Sequence, residues 1–202
     1  HMPQVLAEGR RLIGNVERVA SLFVTKNVMS ACIIVATAIL GVAYPFLPRH
    51  MTIFSMLTIG IPAAILALGP NKRRYVPGFL TRVLGLSVPA GIAAGLAAFL
   101  AYALGGGVVA GRSTLALIVV FIVAFWLLGV LARPLNWWKV LTIAAMVALA
   151  VGAFALPAAR DFLELHLPVG EWWLAVVIGG GGAAVVEVAH HVRRALDKVR
   201  TG

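Results

Sequence analysis

The residues best suited to chemistry form a short polar interruption in an apolar segment. Ser55 and Thr58 place two hydroxyls about one helical turn apart, and Gly60 and Pro62 follow closely. Pro62 has no N–H to donate to the carbonyl of residue 58, and its ring crowds that carbonyl, so a helix should kink or unwind there. Hydroxyls and freed carbonyls can form an oxygen-lined cation site at mid-membrane depth. The alternative is an ordinary proline kink, in which the hydroxyls bond back to their own helix.

A second polar cluster lies in the preceding apolar segment, where Lys26, Asn27 and Ser30 follow Thr25. Asn27 and Ser30 are one turn apart, so both can face the interrupted segment if the two helices pack together. Lys26 has two interpretations. A lysine inside a span is often functional, as an internal cation or a proton-coupled group. Near the membrane boundary it would instead extend its ammonium group to the interface.

Composition identifies the solvent around these clusters. Hydrophobic residues make up 61% of the 202 residues, charged residues make up 12%, and the mean hydropathy is +0.99. This is too apolar for a water-soluble domain. A spanning helix needs about 20 mostly apolar residues. We therefore predict an all-α, polytopic protein of the lipid bilayer with six transmembrane helices, at residues 22–42, 51–69, 83–104, 113–132, 138–157 and 170–189.

The distribution of charge predicts the orientation. The chain has 17 basic and 7 acidic residues and a formal net charge of +10. The basic residues are confined to short stretches between apolar runs, which excludes nucleic acid as a partner. If the N-terminus is cytoplasmic, 14 basic residues lie inside, and outside there are only Arg49, Arg112 and Arg160. The sequence therefore predicts a protein of the cell membrane with both termini in the cytoplasm.

The segment before the first span is amphipathic. Between residues 4 and 21 apolar residues recur at steps of three and four, with charged residues mostly between them. No proline interrupts residues 4–44, so one helix of about 57 Å should reach residue 41. Residues 3–21 would then be a cytoplasmic stalk and residues 22–202 a transmembrane domain, with His1-Met2 a remnant of an expression tag. The alternative is a helix lying flat on the membrane.

Other motifs predict packing or solvation. Gly91 and Gly95 form a small-xxx-small motif for close helix contact, and the glycine run at 179–182 is interpreted as a second packing surface. Glu187, His190 and His191 cluster near the end of the last span, where we expect solvated interface residues and no metal site.

The residues also resemble a known family. Residues 8–15, Glu-Gly-Arg-Arg-Leu-Ile-Gly-Asn, are similar to the stretch in P-type ATPases where the phosphorylation domain meets the stalk of the fifth membrane helix. The span with Asn27 resembles that fifth helix. Residues 55–62, Ser-Met-Leu-Thr-Ile-Gly-Ile-Pro, resemble the sixth, whose pattern is Asn-x-x-Thr-Asp-Gly-x-Pro. Residues 46–50 and 71–78 are most similar to actinobacterial CtpE-type pumps, which are associated with calcium.

The resemblance implies a transport domain that corresponds to membrane helices five to ten. It implies cation binding at Asn27, Ser30, Ser55 and Thr58, with the carbonyls before Pro62. This chain has Ser30, Ser55 and Ile59 where calcium pumps carry glutamate, asparagine and aspartate, so carboxylates for Ca²⁺ would have to come from the fourth helix. Residues 25–27, Thr-Lys-Asn, also resemble the fifth helix of the gastric proton-potassium pump, whose lysine is an internal cation, and this favours the functional interpretation of Lys26.

The resemblance also implies what the chain lacks. Family members phosphorylate the aspartate of an Asp-Lys-Thr-Gly-Thr segment, and this sequence contains no such run. We therefore expect no catalytic residue, no cofactor and no ATP hydrolysis in this chain alone. ATP, Mg²⁺, the cytoplasmic domains and the first four membrane helices would belong to a longer parent pump. The alternative function is a self-contained secondary transporter or channel with six spans.

Overall fold

The computed structural model describes residues 2–68, 78–167 and 170–201. Within these ranges the chain is helical and has no strand. The helices are α1 (Met2–Leu40), α2 (Pro48–Ser55), α3 (Ile61–Leu68), α4 (Phe79–Leu104), α5 (Val109–Ala132), α6 (Trp137–Ala155), α7 (Pro157–Leu163) and α8 (Trp172–Thr201), and a π-helical turn at Met56–Gly60 joins α2 to α3.

The predicted number of membrane spans is confirmed. Among the residues that the structure describes, six segments are long and apolar enough to cross a bilayer: Asn15–Leu40, Pro48–Leu66, Phe79–Leu104, Val109–Ala132, Trp137–Ala155 and Trp172–Leu196. The all-α, polytopic fold class is therefore correct. The short helix α7 was not predicted; Pro157 begins it at a position where proline fits a first helical turn.

The first helix is continuous. Helix α1 runs without a break from Met2 to Leu40, and Gly41 follows with a φ of 63°. Glycine accepts this left-handed conformation without steric cost, so it can end the helix. The amphipathic residues are thus part of the same helix as the first span. The projection of residues 3–21 into the cytoplasm stays a prediction.

Helices α4 and α5 form the centre of the bundle. Helix α1 packs against α4, and α8 packs against both α4 and α5. The contact between α1 and α4 is close because α4 carries glycines there. A Cβ added at Gly91 would lie 2.6 Å from Val28 Cβ, and one added at Gly95 would lie 2.7 Å from Cys32 Cβ. In the same interface the buried Ser87 hydroxyl donates to the Ser21 carbonyl at 3.0 Å.

The glycine run of α8 is a packing surface on one side only. A Cβ at Gly179 would lie 2.9 Å from Ile122, and one at Gly182 would lie 2.7 Å from Val123. Gly180 and Gly181 face open space. Two of the four glycines therefore allow α8 to approach α5.

Charged side chains join the helices at one end of the bundle. We call it the basic end and define it by Glu17, Arg82, Arg133, Lys139 and Glu187. Arg82 forms a two-pronged ion pair with Glu17, with both N···O distances 3.0 Å. Arg133 forms another with Glu187, at 2.6 and 3.1 Å. The Lys139 ammonium group donates to the carbonyls of Ala132 and Pro134. These contacts connect α1 to α4, α5 to α8, and α6 to the end of α5.

We expected Glu187, His190 and His191 to be solvated at the end of the last span, and this was wrong for the first two. Glu187 accepts hydrogen bonds from Trp126 and Arg133, and His190 is buried. The reason is that α8 continues to Thr201, beyond the predicted span, and keeps this turn packed in the bundle. Only His191 is exposed as expected.

Candidate functional site

The helix around Pro62 stays wound, but one turn is wider. Met56–Gly60 is π-helical, and the N–H of Ile61 donates to the carbonyl of Met56, five residues back. The expected disturbance lies where Gly60 and Pro62 predicted it, and it is a widened turn with no unwound segment. A π turn accommodates one extra residue. This relieves the clash between the Pro62 ring and the preceding turn without breaking the helix.

The two hydroxyls of this segment bond to their own helix. Ser55 donates to the carbonyl of Met51 at 2.6 Å, and Thr58 donates to the carbonyl of Phe54 at 2.7 Å. This back-bonding is the arrangement expected for an ordinary proline kink. Each hydroxyl oxygen still has acceptor capacity. Back-bonding and cation coordination therefore do not exclude each other.

A small cavity lies between α1 and the π turn, with α4 and α5 forming its other walls. Its volume is about 20 Å³, enough for one water-sized occupant. The polar residues at its wall are Thr25, Lys26 and Thr58. The apolar ones are Leu22, Met29, Phe54, Ile59, Ala94, Val120, Val123, Ala124 and Leu127. The structure thus brings Lys26 and Thr58 to one space, near the middle of the segment Asn15–Leu40.

Thr25 is a site residue that the sequence interpretation left out. It is buried at the cavity, and its hydroxyl donates to the Ser21 carbonyl at 2.8 Å. The sequence feature that could have identified Thr25 is its spacing of four residues from Met29, which places both on one face of α1. Periodicity alone did not distinguish that face from the lipid-facing one, because both are apolar.

The structure does not bring the other predicted residues of α1 to this cavity. Asn27 is exposed, and Ser30 lies beside Tyr44 in the loop after α1. Partial burial raises the pKa of the Tyr44 phenol, and its hydrogen bond with Ser30 opposes that rise. The reason is angular. Successive residues on a helix point about 100° apart, so with Thr25 and Met29 facing the cavity and α4, the side chain of Asn27 points away.

The surface of the cavity is almost entirely apolar, so it would bind a cation weakly without help. None of the wall residues that the structure describes is acidic, and its described residues contain no group of three or more His, Cys, Asp or Glu side chains placed for a metal. Ca²⁺ takes six to eight oxygen ligands, usually with carboxylates. The positive charge of Lys26 also opposes a second cation nearby. This cavity can therefore be only part of a divalent-cation site.

Comparison with curated proteins gives clear relatives. The chain is 39% identical over 184 residues to the calcium-transporting ATPase CtpE of Mycolicibacterium smegmatis, and 41% identical over 177 residues to CtpE of Mycobacterium tuberculosis. These alignments cover 81% and 79% of this chain. A probable cation-transporting ATPase, exp7 of Streptococcus pneumoniae, is 25% identical over 177 residues, which are 81% of this chain.

The similarity covers one part of each relative. The chain spans 22 to 23% of the length of these proteins. No protein-family profile and no solved structure matches it.

Proposed function

We propose that this chain is the membrane transport domain of an ATP-driven, cation-transporting P-type ATPase, because it is homologous to one segment of the curated calcium-transporting ATPases. The observation that carries the proposal is the identity of about 40% over about four fifths of the chain. Six apolar helices and a continuous first helix support it. In the complete pump, residues 3–21 would be the stalk that transmits phosphorylation to the membrane.

The transported cation is proposed to be Ca²⁺, since the relatives at about 40% identity are named for calcium transport. The proposed ligands from this chain are the Thr58 hydroxyl, the Ser55 hydroxyl and carbonyls of the π turn ahead of Pro62. Lys26, at the same cavity, is proposed as an internal cation that sets how much positive charge the site tolerates.

The exposure of Asn27 is explained if other helices of the pump cover it. A side-chain amide in hydrocarbon without a partner costs several kcal/mol. The relatives are more than four times as long as the region they share with this chain. We propose that the first four membrane helices pack on the Asn27 face, add the missing carboxylates and complete a site to which Asn27 and Ser30 contribute.

The same proposal predicts where ATP binds and where the chain ends lie. ATP and Mg²⁺ would bind in cytoplasmic domains outside this chain, and both termini of the chain would face the cytoplasm of a cell-membrane protein. The chain alone should not hydrolyse ATP. If it instead moved cations by itself in liposomes, the function would be that of a secondary transporter or channel.

The proposal can be tested with two matched threonines of the same segment. Thr52 and Thr58 both donate to their own helix, but Thr52 is exposed and Thr58 lines the cavity. In the full-length pump, Thr58→Val should lower the apparent Ca²⁺ affinity of Ca²⁺-stimulated ATP hydrolysis by about tenfold, the loss expected for one ligand worth about 1.4 kcal/mol. Thr52→Val should leave it unchanged.

Two results would refute the proposal. Wild-type Ca²⁺ affinity in both Thr58→Val and Asn27→Ala would remove the proposed ligands. A full-length protein that shows no cation-stimulated hydrolysis with any ion, tested one at a time, would remove the pump itself.

A further inference from the structure

Open space lies beside the contact between α5 and α8. The two helices meet at Gly179, where an added Cβ would lie 2.9 Å from Ile122. One residue further on, a Cβ at Gly180 would meet nothing within 4 Å, and the same holds at Gly129 of α5. Residues at steps of three and four share a helix face. We therefore define an α5–α8 groove by Trp126, Gly129 and Arg133 of α5 and by Gly180, Ala184, Glu187, His191 and Arg194 of α8.

The groove ends in polar side chains at the basic end. Arg133 pairs with Glu187, and Trp126 donates its indole N–H to the same carboxylate at 3.1 Å. The described chain does not cover these groups, since the Arg133 and Glu187 side chains are 33% and 24% exposed and Trp126 is 46% exposed. An ion pair facing hydrocarbon is costly. In a bilayer, polar surroundings must therefore lie over this end of the groove.

The length of α8 places this end at the level of the lipid headgroups. Helix α8 begins with the exposed Trp172 and Trp173, residues that anchor a helix at a membrane surface. It runs to Thr201, a length of about 45 Å, whereas the hydrocarbon core is about 30 Å thick. His191 lies about 29 Å along the helix from Trp172, and Arg194 lies about one turn beyond it. Both therefore reach the opposite membrane surface.

The charge at this level is positive. The Glu187 carboxylate is balanced by Arg133, while Arg194 is exposed and belongs to none of the ion pairs between described residues. His191 is 65% exposed, and its Nδ1 donates to the Glu187 carbonyl at 2.9 Å, so Nε2 is the nitrogen left to contact a ligand. The occupant that complements this charge is an anion.

We propose that the α5–α8 groove binds one anionic phospholipid of the leaflet at the basic end. The phosphate lies against Arg194 and His191, and an acyl chain lies over Gly129 and Gly180. Basic pockets between membrane helices bind anionic headgroups by this chemistry, and the indole of Trp126 suits the boundary between headgroup and chain. Under the proposed orientation this is the cytoplasmic leaflet. The inference goes beyond the proposed function, since lipid binding needs no cation transport.

Fluorescence quenching in the full-length protein tests the site. The protein, in a neutral detergent, is titrated with phosphatidylglycerol that carries brominated acyl chains, which quench nearby tryptophans. The signal of the groove is the part of the quenching that Trp126→Phe removes. Phosphatidylcholine with the same chains is the uncharged comparison, and inorganic phosphate is the soluble competitor. We expect saturable quenching by phosphatidylglycerol at a concentration at least about tenfold lower than phosphatidylcholine requires, as for two basic groups near an anionic headgroup.

Matched variants separate the headgroup from the chain. Arg194→Gln should weaken phosphatidylglycerol binding about fivefold, the factor for one basic residue at an anionic surface, whereas Arg194→Lys should stay within about twofold. Gly129→Leu fills the groove and should weaken binding about tenfold, the factor for roughly two displaced methylenes. Gly152→Leu is its control, because a Cβ at Gly152 of α6 also meets nothing within 4 Å but lies outside the groove.

Three results would overturn the proposal. Equal affinity for the two lipids would remove the recognition of charge. Loss of quenching on addition of inorganic phosphate at the concentration of the lipid would identify a free anion as the ligand. Absence of any quenching that depends on Trp126 would show that another part of the protein covers the groove. None of these readouts requires ATP hydrolysis, so they are independent of the proposed function.

Discussion

Helix α1 has two interfaces that differ in how closely the chains approach. Toward α4 the backbones are so close that a Cβ at Gly91 would lie 2.8 Å from the Thr25 carbonyl, and this interface also holds a buried hydroxyl and an ion pair. Toward the segment formed by α2, the π turn and α3, α1 borders a cavity of about 20 Å³. The same helix is thus fixed on one side and loosely packed on the other.

This difference shows how Lys26 can be held in a largely apolar bundle. Lys26 is half-buried at the cavity wall, and a cation at this depth is costly unless the surrounding structure determines its position. The close packing of Thr25 and Val28 against α4 sets the rotation of α1, and that rotation brings Lys26 to the cavity. The tight interface therefore determines the geometry of the loose one.

The largest expected effect comes from filling the tight interface. Gly91→Val should destabilise the chain by about 3 kcal/mol, because the added atoms have no space and meet the backbone of α1. The measurement is reversible unfolding in mixed detergent micelles. Gly129→Val is the control, since a Cβ there meets nothing within 4 Å. Equal stability of the two variants would contradict the close approach of α1 and α4.

Removing the ion pair at the basic end should have the next largest effect. The Arg82 and Glu17 side chains are 14% and 25% exposed. Arg82→Gln should cost about 2 kcal/mol, because it leaves a poorly solvated carboxylate without its two-pronged partner. Glu17→Gln in the Arg82→Gln background should cost little more. Additive effects of the two changes in a double-mutant cycle would show that the pair is not coupled.

The hydroxyl in this interface should contribute less. Ser87→Ala removes the hydrogen bond to the Ser21 carbonyl and should cost about 0.5 to 1 kcal/mol, as interhelical hydrogen bonds in membranes do. Thr52→Ala is the matched control, because its hydroxyl bonds within its own exposed turn. A loss larger than that of Arg82→Gln would reverse the expected order of the contacts.

The sequence predicted the tight interface better than the loose one. Gly91 and Gly95 identify a close contact because only glycine lets two helix backbones approach so closely. Six spans followed from hydropathy, because lipid imposes one requirement on every spanning segment. Both are local properties that a sequence carries directly.

The cavity could not be predicted in the same way. Asn27 and Lys26 are adjacent, and only the rotation of α1 decides which of them faces Thr58. That rotation depends on distant residues of α4, and both faces of α1 are apolar enough to be buried. Likewise Gly60 and Pro62 predicted where the helix departs from regular winding, but not that a wider turn would replace an unwound one.

The smallest expected effect comes from a methyl group added at the exposed Gly60 of the π turn. Gly60→Ala places a Cβ that meets only the Ser55 carbonyl, at 3.8 Å, which is ordinary contact. Its backbone is not left-handed, so alanine can adopt it, and the unfolded chain loses conformational freedom. We therefore expect stabilisation by about 0.5 kcal/mol, against a clear loss for Gly91→Ala in the same unfolding assay. If Gly60→Ala were as destabilising as Gly91→Ala, the turn ahead of Pro62 would be as constrained as the α1–α4 contact.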